Sequence, residues 1–219
     1  MPKVAVIPGD GIGIDVTREA VKVLEAVAAV TKMDLVLDEF DYGAEKYLAT
    51  GITLPDADLE KLKAYDAIYI GALGDPRVPD MAHARDILLG TRFKLDLYVN
   101  HRPVKLVHER LCPLKNRKPA DIDMVFFREN TEGAYVGMGG IFKKGTPDEV
   151  AVQEDVNTRK GVERIVRHAF EFARAQGKRK LAMADKANVL IHAHDLWQRV
   201  FKAVAAEYPD VESSHFYVD

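Results

Sequence analysis

Three arginines, Arg92, Arg102 and Arg128, each follow an apolar or extended run. A guanidinium presents a planar fork of donors that matches a carboxylate through two parallel hydrogen bonds. Brought together, three such forks would grip a substrate carrying two carboxylates. Spacing alone does not bring them together, and each taken singly also fits a solvated or paired surface residue. Arg128 opens the run RENTEGAY, which ends at Tyr135 and directly follows the apolar stretch from Ile122 to Phe127. A strand that ends in an arginine and reaches a tyrosine seven residues later sets an anion clamp and a weak acid at one edge. Tyr135 can serve there as a proton donor, or it can be an ordinary core or interface aromatic.

Lys186 stands in ADKANV, between an apolar run and a helical pattern, where the loops of α/β proteins carry function. A lysine so placed acts as a general base if burial or neighbouring arginines lower its pKa. The plainer reading is a surface lysine, although the start of a helix is an electrostatically poor place for a cation. Asp219 is a hard oxygen ligand of the kind a divalent cation takes, but one carboxylate does not make a metal site. His192 and His194 look like a metal pair, yet two apart in an expected helix they face different ways, and both are read as surface residues. Gly9, Gly11 and Gly13 suggest a dinucleotide loop, but the last glycine of G-x-G-x-x-G is missing, so the Rossmann reading fails on spacing. Either that turn lets backbone approach a ligand, or it is purely structural. Gly71 to Gly74 closes an expected parallel strand and is the better placed ligand loop.

The elements that must position these residues follow from hydrophobic periodicity. Strands are expected at 3–7, 35–40, 65–70, 122–127, 180–184 and 213–218, where short apolar runs are bounded by turn residues. From Ile12 the set Val16, Ala20, Val23, Leu24, Val27 and Val30 recurs at helical spacing, predicting about five turns with that face inward. Further helices are expected over 56–64, 83–95, 158–176 and 189–207, the third capped by Asn157 or Thr158 and stopped by Gly177. The stretch 96–107 reads as extended, with Pro103 marking an edge. Residues 135–142 and 149–156 form a hairpin arm that either makes a dimer contact or is a plain hairpin.

Composition narrows the function classes. With 219 residues, 47% of them apolar and 30% charged, the chain has room for a real core. A formal net charge of -3 points away from nucleic acid and from an anionic membrane, so any anion site must arise from local clustering. Cys112 is the single cysteine, which rules out an internal disulfide and a thiolate zinc cluster. The N-terminus shows no charged-then-apolar leader pattern and no run is long enough for a bilayer span, so a cytoplasmic protein is expected.

Six motifs, in order along the whole chain, carry a resemblance: IPGDGIG, Gly71-Ala72 after IYI, Leu88-Leu89-x-x-Arg92, Asn100-x-Arg102-Pro103, RENTEGAY and DKANVL. Together they resemble the metal-dependent β-decarboxylating dehydrogenases, which act on isopropylmalate, isocitrate, tartrate or D-malate. The resemblance implies a two-domain α/β fold with a mixed sheet, unlike the Rossmann fold, and a homodimer using NAD, or NADP, with Mg or Mn. Residues 1–98 would form the N-terminal part of a discontinuous, cofactor-side first domain, and residues 99–219 a second domain for substrate and dimerisation.

By position, the resemblance makes Arg92, Arg102 and Arg128 the carboxylate clamp, Tyr135 the proton donor, Lys186 a base supplied across the dimer and Asp219 a metal ligand. Ile12, Gly71, Ala72 and Asn188 match nicotinamide-side contacts. Leu88, Leu89 and Val189 would line an apolar pocket for an isopropyl group, which points to the isopropylmalate branch of leucine biosynthesis. Isocitrate members usually offer polar side chains there, whereas RENTEGAY and GTPDEVAVQEDVNTR are closer to the tartrate and D-malate members. Family members continue beyond the position of Asp219, so a C-terminally truncated member is expected. The reading from another class is a catalytically silent dimerisation or anion-binding module, told apart by whether a second carboxylate joins Asp219.

Overall fold

The structure, a computed structural model, describes residues 1–219 and divides into two compact units, Met1–Asp96 and Leu97–Asp219. In the first unit, β1 (Lys3–Ile7) pairs in parallel with β2 (Val36–Glu39) on one side and β3 (Ala67–Ile70) on the other. The connections run through α1 (Ile12–Thr31), then α2 (Ala44–Thr50) and α3 (Asp56–Leu62). The short polar sequence of α2 gives no strong periodicity, and this helix is absent from the sequence expectations. Ala5, Ile7, Tyr42, Leu54, Leu62 and Ile87 form the core.

Helix α1 has the expected length but not the expected face. Its inward side carries Gly13 and Thr17, both buried, with Ala20, Val21 and Leu24 beside them, while Val16, Val23, Val27 and Val30 are exposed. Alanine and valine occur nearly all round this helix, so the 3.6-residue period fixes the element without fixing its orientation. The small residues Gly13 and Thr17 decide it, because only there can the helix touch the loop after β3.

The first unit ends in a continuous helical run: α4 (Ala82–Ala84), a π-helical segment Arg85–Gly90 and α5 (Thr91–Lys94). The expected helix at 83–95 is therefore present, but its middle is wound with the wider i→i+5 turn.

In the second unit, β4 (Val99–Lys105) and β5 (Asp123–Glu129) are antiparallel, and β8 (Lys180–Asp185) and β9 (Glu212–Tyr217) are parallel. Parallel and antiparallel pairings thus both occur, in separate sheets. Helices α6 (Arg159–Ala175) and α7 (Ala193–Ala205) bury Val162, Ile165, Phe170, Val200, Phe201 and Val204. The Thr158 hydroxyl caps α6 by accepting the Gly161 N–H at 3.0 Å. Gly177, at φ 63°, ends that helix, with the Lys178 N–H donated back to the Ala173 carbonyl at 2.8 Å. Helix α7 starts at Ala193, not at Val189; residues 186–190 form a turn. Between β5 and α6, β6 (Gly139–Phe142) and β7 (Val150–Gln153) form the hairpin arm, and Ile141, Phe142, Val150 and Val152 are all at least half exposed. No helix is long and apolar enough to cross a membrane.

Candidate functional site

At the carboxyl edge of the first unit's sheet, the β1–α1 turn and the loop after β3 interlock. A side-chain carbon at Gly9 or Gly13 would lie 2.2 or 2.3 Å from the Ala72 carbonyl oxygen, and one at Gly71 would lie 2.0 Å from that of Pro8. Gly9, Gly13 and Gly71 are required by backbone meeting backbone, whereas Gly11 stands in open space. Asp10 locks the arrangement. Its N–H is donated to Ala72 O at 2.8 Å, while its carboxylate accepts the N–H groups of Ala44 at 2.6 Å and Gly74 at 2.8 Å. His83 Nε2 lies 2.7 Å from Asp10 Oδ2; the histidine is fully buried and stacks on Tyr47. Ile12 and Ala72 stay exposed on the rim, with Gly71 half-buried between the loops. Asp10 and His83 are positioning residues that sequence reasoning missed; no local pattern links positions 10, 44, 74 and 83.

The π-helical segment positions the next expected group. Ile87 is fully buried, and the Thr91 hydroxyl bonds its carbonyl at 2.5 Å. With that side anchored in the core, Leu88, Leu89 and Arg92 remain half-buried at the surface of the run.

In the second unit the ladder register places two of the arginines. Asn100 pairs with Arg128 and Arg102 with Phe126, so Arg102 and Arg128 share one exposed face as diagonal neighbours. Side chains in that relation stand about 7–8 Å apart at the backbone, within reach of one dicarboxylate. Arg102 Nε donates to Asn100 Oδ1 at 2.7 Å, and Asn100 Nδ2 donates to Asn130 Oδ1 at 2.9 Å. The Arg128 guanidinium lies over the Tyr135 ring, 5.4 Å from its centroid. No carboxylate pairs with Arg92, Arg102 or Arg128, whereas Arg77, Arg164, Arg167 and Arg174 are each ion-paired. Arg85, Arg110, Arg117 and Arg179 also lack such a partner, so it is the shared ladder face that distinguishes Arg102 and Arg128.

The interior of RENTEGAY is scaffold. Glu129 accepts the N–H groups of Thr131 at 2.7 Å and Glu132 at 2.6 Å, and Arg164 lies 3.1 Å from its other oxygen. Glu132 accepts the Thr158 N–H at 2.8 Å and its hydroxyl at 2.5 Å, bringing a carboxylate to the start of α6, where the helix dipole favours it. Gly161 leaves room for that carboxylate, since a side-chain carbon there would sit 2.3 Å from it. Asn130 is buried and holds the Leu97 carbonyl at 3.1 Å. Four internal residues thus fix the segment that carries Arg128 and Tyr135.

The carboxyl edge of β8 and β9 gathers three further expected residues. Lys186 Nζ lies 3.0 Å from Asp219 Oδ2, and Asn188 Nδ2 lies 3.4 Å from the same oxygen. The Lys186 ammonium, which hydrogen-bonds Asp219, holds that carboxyl below its usual value, with Asn188 assisting. Val189 follows, 60% exposed. Beneath them Asp185 is buried, with His215 Nε2 at 3.0 Å and the Ala187 N–H at 3.0 Å. Burial pushes the Asp185 carboxyl up, but the bonds from Ala187, His215 and Gln198 outweigh it and leave it below its ordinary value. His194 is half-buried and accepts the Lys186 N–H at Nδ1, 2.8 Å away, so it is not the surface residue expected; His192 is exposed. No hydrogen bond or ion pair joins this corner to the arginine face.

Asp219 has the oxygen chemistry of a ligand for Mg or Mn, but no group of three or more side chains suited to a metal stands together in this chain. The corner therefore fits such an ion as a partial set, with Asp219 as its one ligand. For a nicotinamide, the exposed rim of Ile12 and Ala72 offers a contact surface.

Comparisons with known proteins bear on the family and the fold. Residues 3–219 match the family model described as isocitrate/isopropylmalate dehydrogenase. The chain is 51% identical to a 3-isopropylmalate dehydrogenase of Thermobifida fusca over 217 residues, covering 99% of this chain and 61% of the relative. A 3-isopropylmalate dehydrogenase of Corynebacterium urealyticum is also 51% identical, with 99% and 62% covered. Among solved structures, isocitrate dehydrogenase from Methylococcus capsulatus superposes with a TM-score of 0.85 at 34% identity, covering 100% of this chain and 61% of that one. The β-decarboxylating dehydrogenase from Thermococcus kodakarensis gives 0.72 at 33% identity, with 100% and 58% covered. The chain thus spans about three-fifths of the length of the relatives it matches. The order of its motifs, its fold and a family match running from Lys3 to Asp219 all point one way, and the chain belongs to the isocitrate/isopropylmalate dehydrogenase family.

Proposed function

We propose that the protein takes part in NAD-dependent oxidative decarboxylation of a 2-hydroxy dicarboxylic acid, 3-isopropylmalate, in leucine biosynthesis in the cytoplasm. The observation that carries this reading is the pair Arg102 and Arg128, side by side on an exposed ladder face with no carboxylate of their own and with Tyr135 against Arg128. Two guanidiniums held open in this way suit a small diacid, each able to take a carboxylate through paired hydrogen bonds. The relatives named 3-isopropylmalate dehydrogenase, at about half identity, support the choice among diacids.

In the reaction, Arg102 and Arg128 bind and orient the two carboxylates. Leu88 and Leu89 of the first unit supply apolar surface that suits an isopropyl group, and such surface discriminates alkyl groups only weakly. Lys186 takes the proton of the substrate hydroxyl as carbon 2 is oxidised, and a bound nicotinamide would supply the hydride acceptor. The β-keto acid then loses carbon dioxide, and the Tyr135 hydroxyl donates the proton that restores the carbon. A bound Mg or Mn supplies Lewis-acid polarisation of the substrate oxygens, with Asp219 among its ligands. Ile12, Gly71 and Ala72 of the first unit would contact a nicotinamide, and Asn188 is a further nicotinamide-side residue by the resemblance; NADP is the alternative carrier.

Two copies complete each site in this reading, as the family resemblance implies, Lys186 and Asp219 of one copy serving the arginines of the other; that no hydrogen bond or ion pair joins the two groups within one chain is in keeping with it. The arm of β6 and β7 is the contact for that homodimer. A two-stranded hairpin exposed on both faces is marginal alone, and a second copy of the same arm is its natural partner.

The test is NADH formation with Mg and, in turn, isopropylmalate, D-malate, tartrate and isocitrate. It is run on this chain and on a chimera joining it to the part of the Thermobifida fusca relative that it does not match. Turnover strongest with isopropylmalate is expected. A folded chimera that turns over none of the four acids would reject the assignment.

A further inference from the structure

The Lys186 corner contains a residue whose role neither the motif nor the family match supplies. The peptide around Lys186 is held on every side. The Lys186 carbonyl accepts the N–H groups of Val189 at 3.0 Å and Leu190 at 2.8 Å, and the Ala187 N–H goes to Asp185 Oδ1 at 3.0 Å. Across the ladder, the Val218 N–H goes to the Asp185 carbonyl at 2.9 Å, which fixes the end of β9 that leads to Asp219. The remaining group is the Lys186 N–H itself, and its partner is His194 Nδ1 at 2.8 Å, in the first turn of α7.

A main-chain N–H only donates, so Nδ1 must present a lone pair. The imidazole is then neutral and carries its proton on Nε2. With this bond in place the end of β8, the start of α7 and the last residues after β9 share one frame. The frame leaves the Lys186 ammonium 3.0 Å from Asp219 Oδ2. Without the acceptor, a half-buried N–H loses its partner and the turn from Lys186 to Leu190 is free to re-form elsewhere.

We propose that His194 is a positioning residue for Lys186: its neutral imidazole, protonated on Nε2, accepts the Lys186 main-chain N–H and so holds the lysine ammonium on Asp219. The importance of Lys186 rests on the functional reading above, whereas the positioning itself does not.

The experiment uses the 219-residue chain and nitrogen-15 spectroscopy of two side chains. In the unsubstituted protein, the His194 ring should show the Nε2–H tautomer; a proton on Nδ1 would overturn the proposal outright and needs no variant. The Lys186 ammonium signal, identified by its loss in Lys186→Arg, is then followed in two variants. His194→Phe keeps a ring and removes the acceptor, and the signal should move to the position of unpaired lysines. His194→Asn places Oδ1 where Nδ1 stood, and the signal should stay at its original position. An unmoved signal in the phenylalanine variant, or equal movement in both, would overturn the proposal, since a role in packing alone is not rescued by asparagine. Should the phenylalanine variant fail to fold, the tautomer and the asparagine variant still decide. A chain that shows the His194-dependent shift but whose chimera turns nothing over would remove the functional reading and leave the positioning intact. The reverse pattern would do the opposite.

Discussion

The chain has two carboxyl edges of parallel strands, and they are built on opposite plans. In the first unit, backbone meets backbone: Gly9, Gly13 and Gly71 let two loops interlock, and a buried Asp10–His83 pair ties α2, the β3 loop and α4 to the turn. In the second, the edge is assembled from side chains. Lys186, Asn188 and Asp219 meet in the open, over a buried Asp185 and beside His194. An edge locked by sterics keeps its shape whatever approaches it. An edge of partly exposed polar partners can exchange them, and chemistry requires exchange. Substitutions in the first should therefore act on stability, and those in the second on activity.

The largest effect is expected at the exchanging edge. Lys186→Ala in the chimera should lower turnover by about 10²–10⁴-fold, the range for loss of a general base, with unfolding by denaturant unchanged. Near-original rates would remove Lys186 from the mechanism. At the locked edge, Gly71→Ala forces a carbon to 2.0 Å from Pro8 O, where no flexible side chain can yield. Overpacking against backbone should destabilise the first unit by about 3 kcal/mol, read from the shift in its denaturant midpoint, and a cost near zero would show that the loops are not interlocked.

Next in size is His83→Leu, which keeps volume but takes away one of the partners of Asp10 Oδ2, leaving the Gly74 N–H. A loss of about 1–3 kcal/mol is expected, the cost of an undersatisfied buried acceptor. Asp10→Asn combined with His83→Leu should cost less than the sum of the single changes, and strict additivity would separate the two residues.

The smallest effect concerns pH. The Asp185 carboxyl lies below the ordinary aspartate value of 3.8 in the folded chain, so its stabilisation is fully present above that value and is lost as pH falls through the lower folded value. The stability difference between the original protein and Asp185→Asn should therefore be constant above about pH 5 and narrow below it. A difference that stays flat in acid would contradict the assigned hydrogen bonds.

Elements were legible in the sequence where one residue type carried the period. The stripe Val162, Ile165, Val166, Ala169, Phe170 and Ala173 marked α6 and its buried face together, because the opposite face is charged. In α1, valines and alanines lie all round, so the helix was readable and its face was not. The start of α7 was misplaced because Val189, Leu190 and Ile191 continue an apolar pattern through what is a turn, 60%, 41% and 61% exposed. That misplacement hid His194, since the argument that two histidines two apart diverge assumed both lay inside the helix.

The site residues were legible as types and the contacts between them were not. RENTEGAY named Arg128 and Tyr135, but their meeting with Arg102 depends on the β4–β5 register, which is set across 25 intervening residues. Glu132 reaching Thr158 and Asp10 reaching His83 are equally non-local. The glycine turn is the converse case: spacing excluded the Rossmann loop, and only the approach of the Ala72 carbonyl explains why glycines are needed.

The central claim is that the arginine face of one copy and the Lys186 corner of another make one active site. It is tested most directly by mixing two chimeras, Arg128→Ala and Lys186→Ala, each without turnover alone, after denaturing and refolding them together. Random pairing makes about half the dimers mixed, each with one intact site of two, so about a quarter of the original NADH formation on isopropylmalate should return. No recovery, from mixtures shown to contain mixed dimers, would mean that Lys186 serves the arginines of its own chain and would contradict the account.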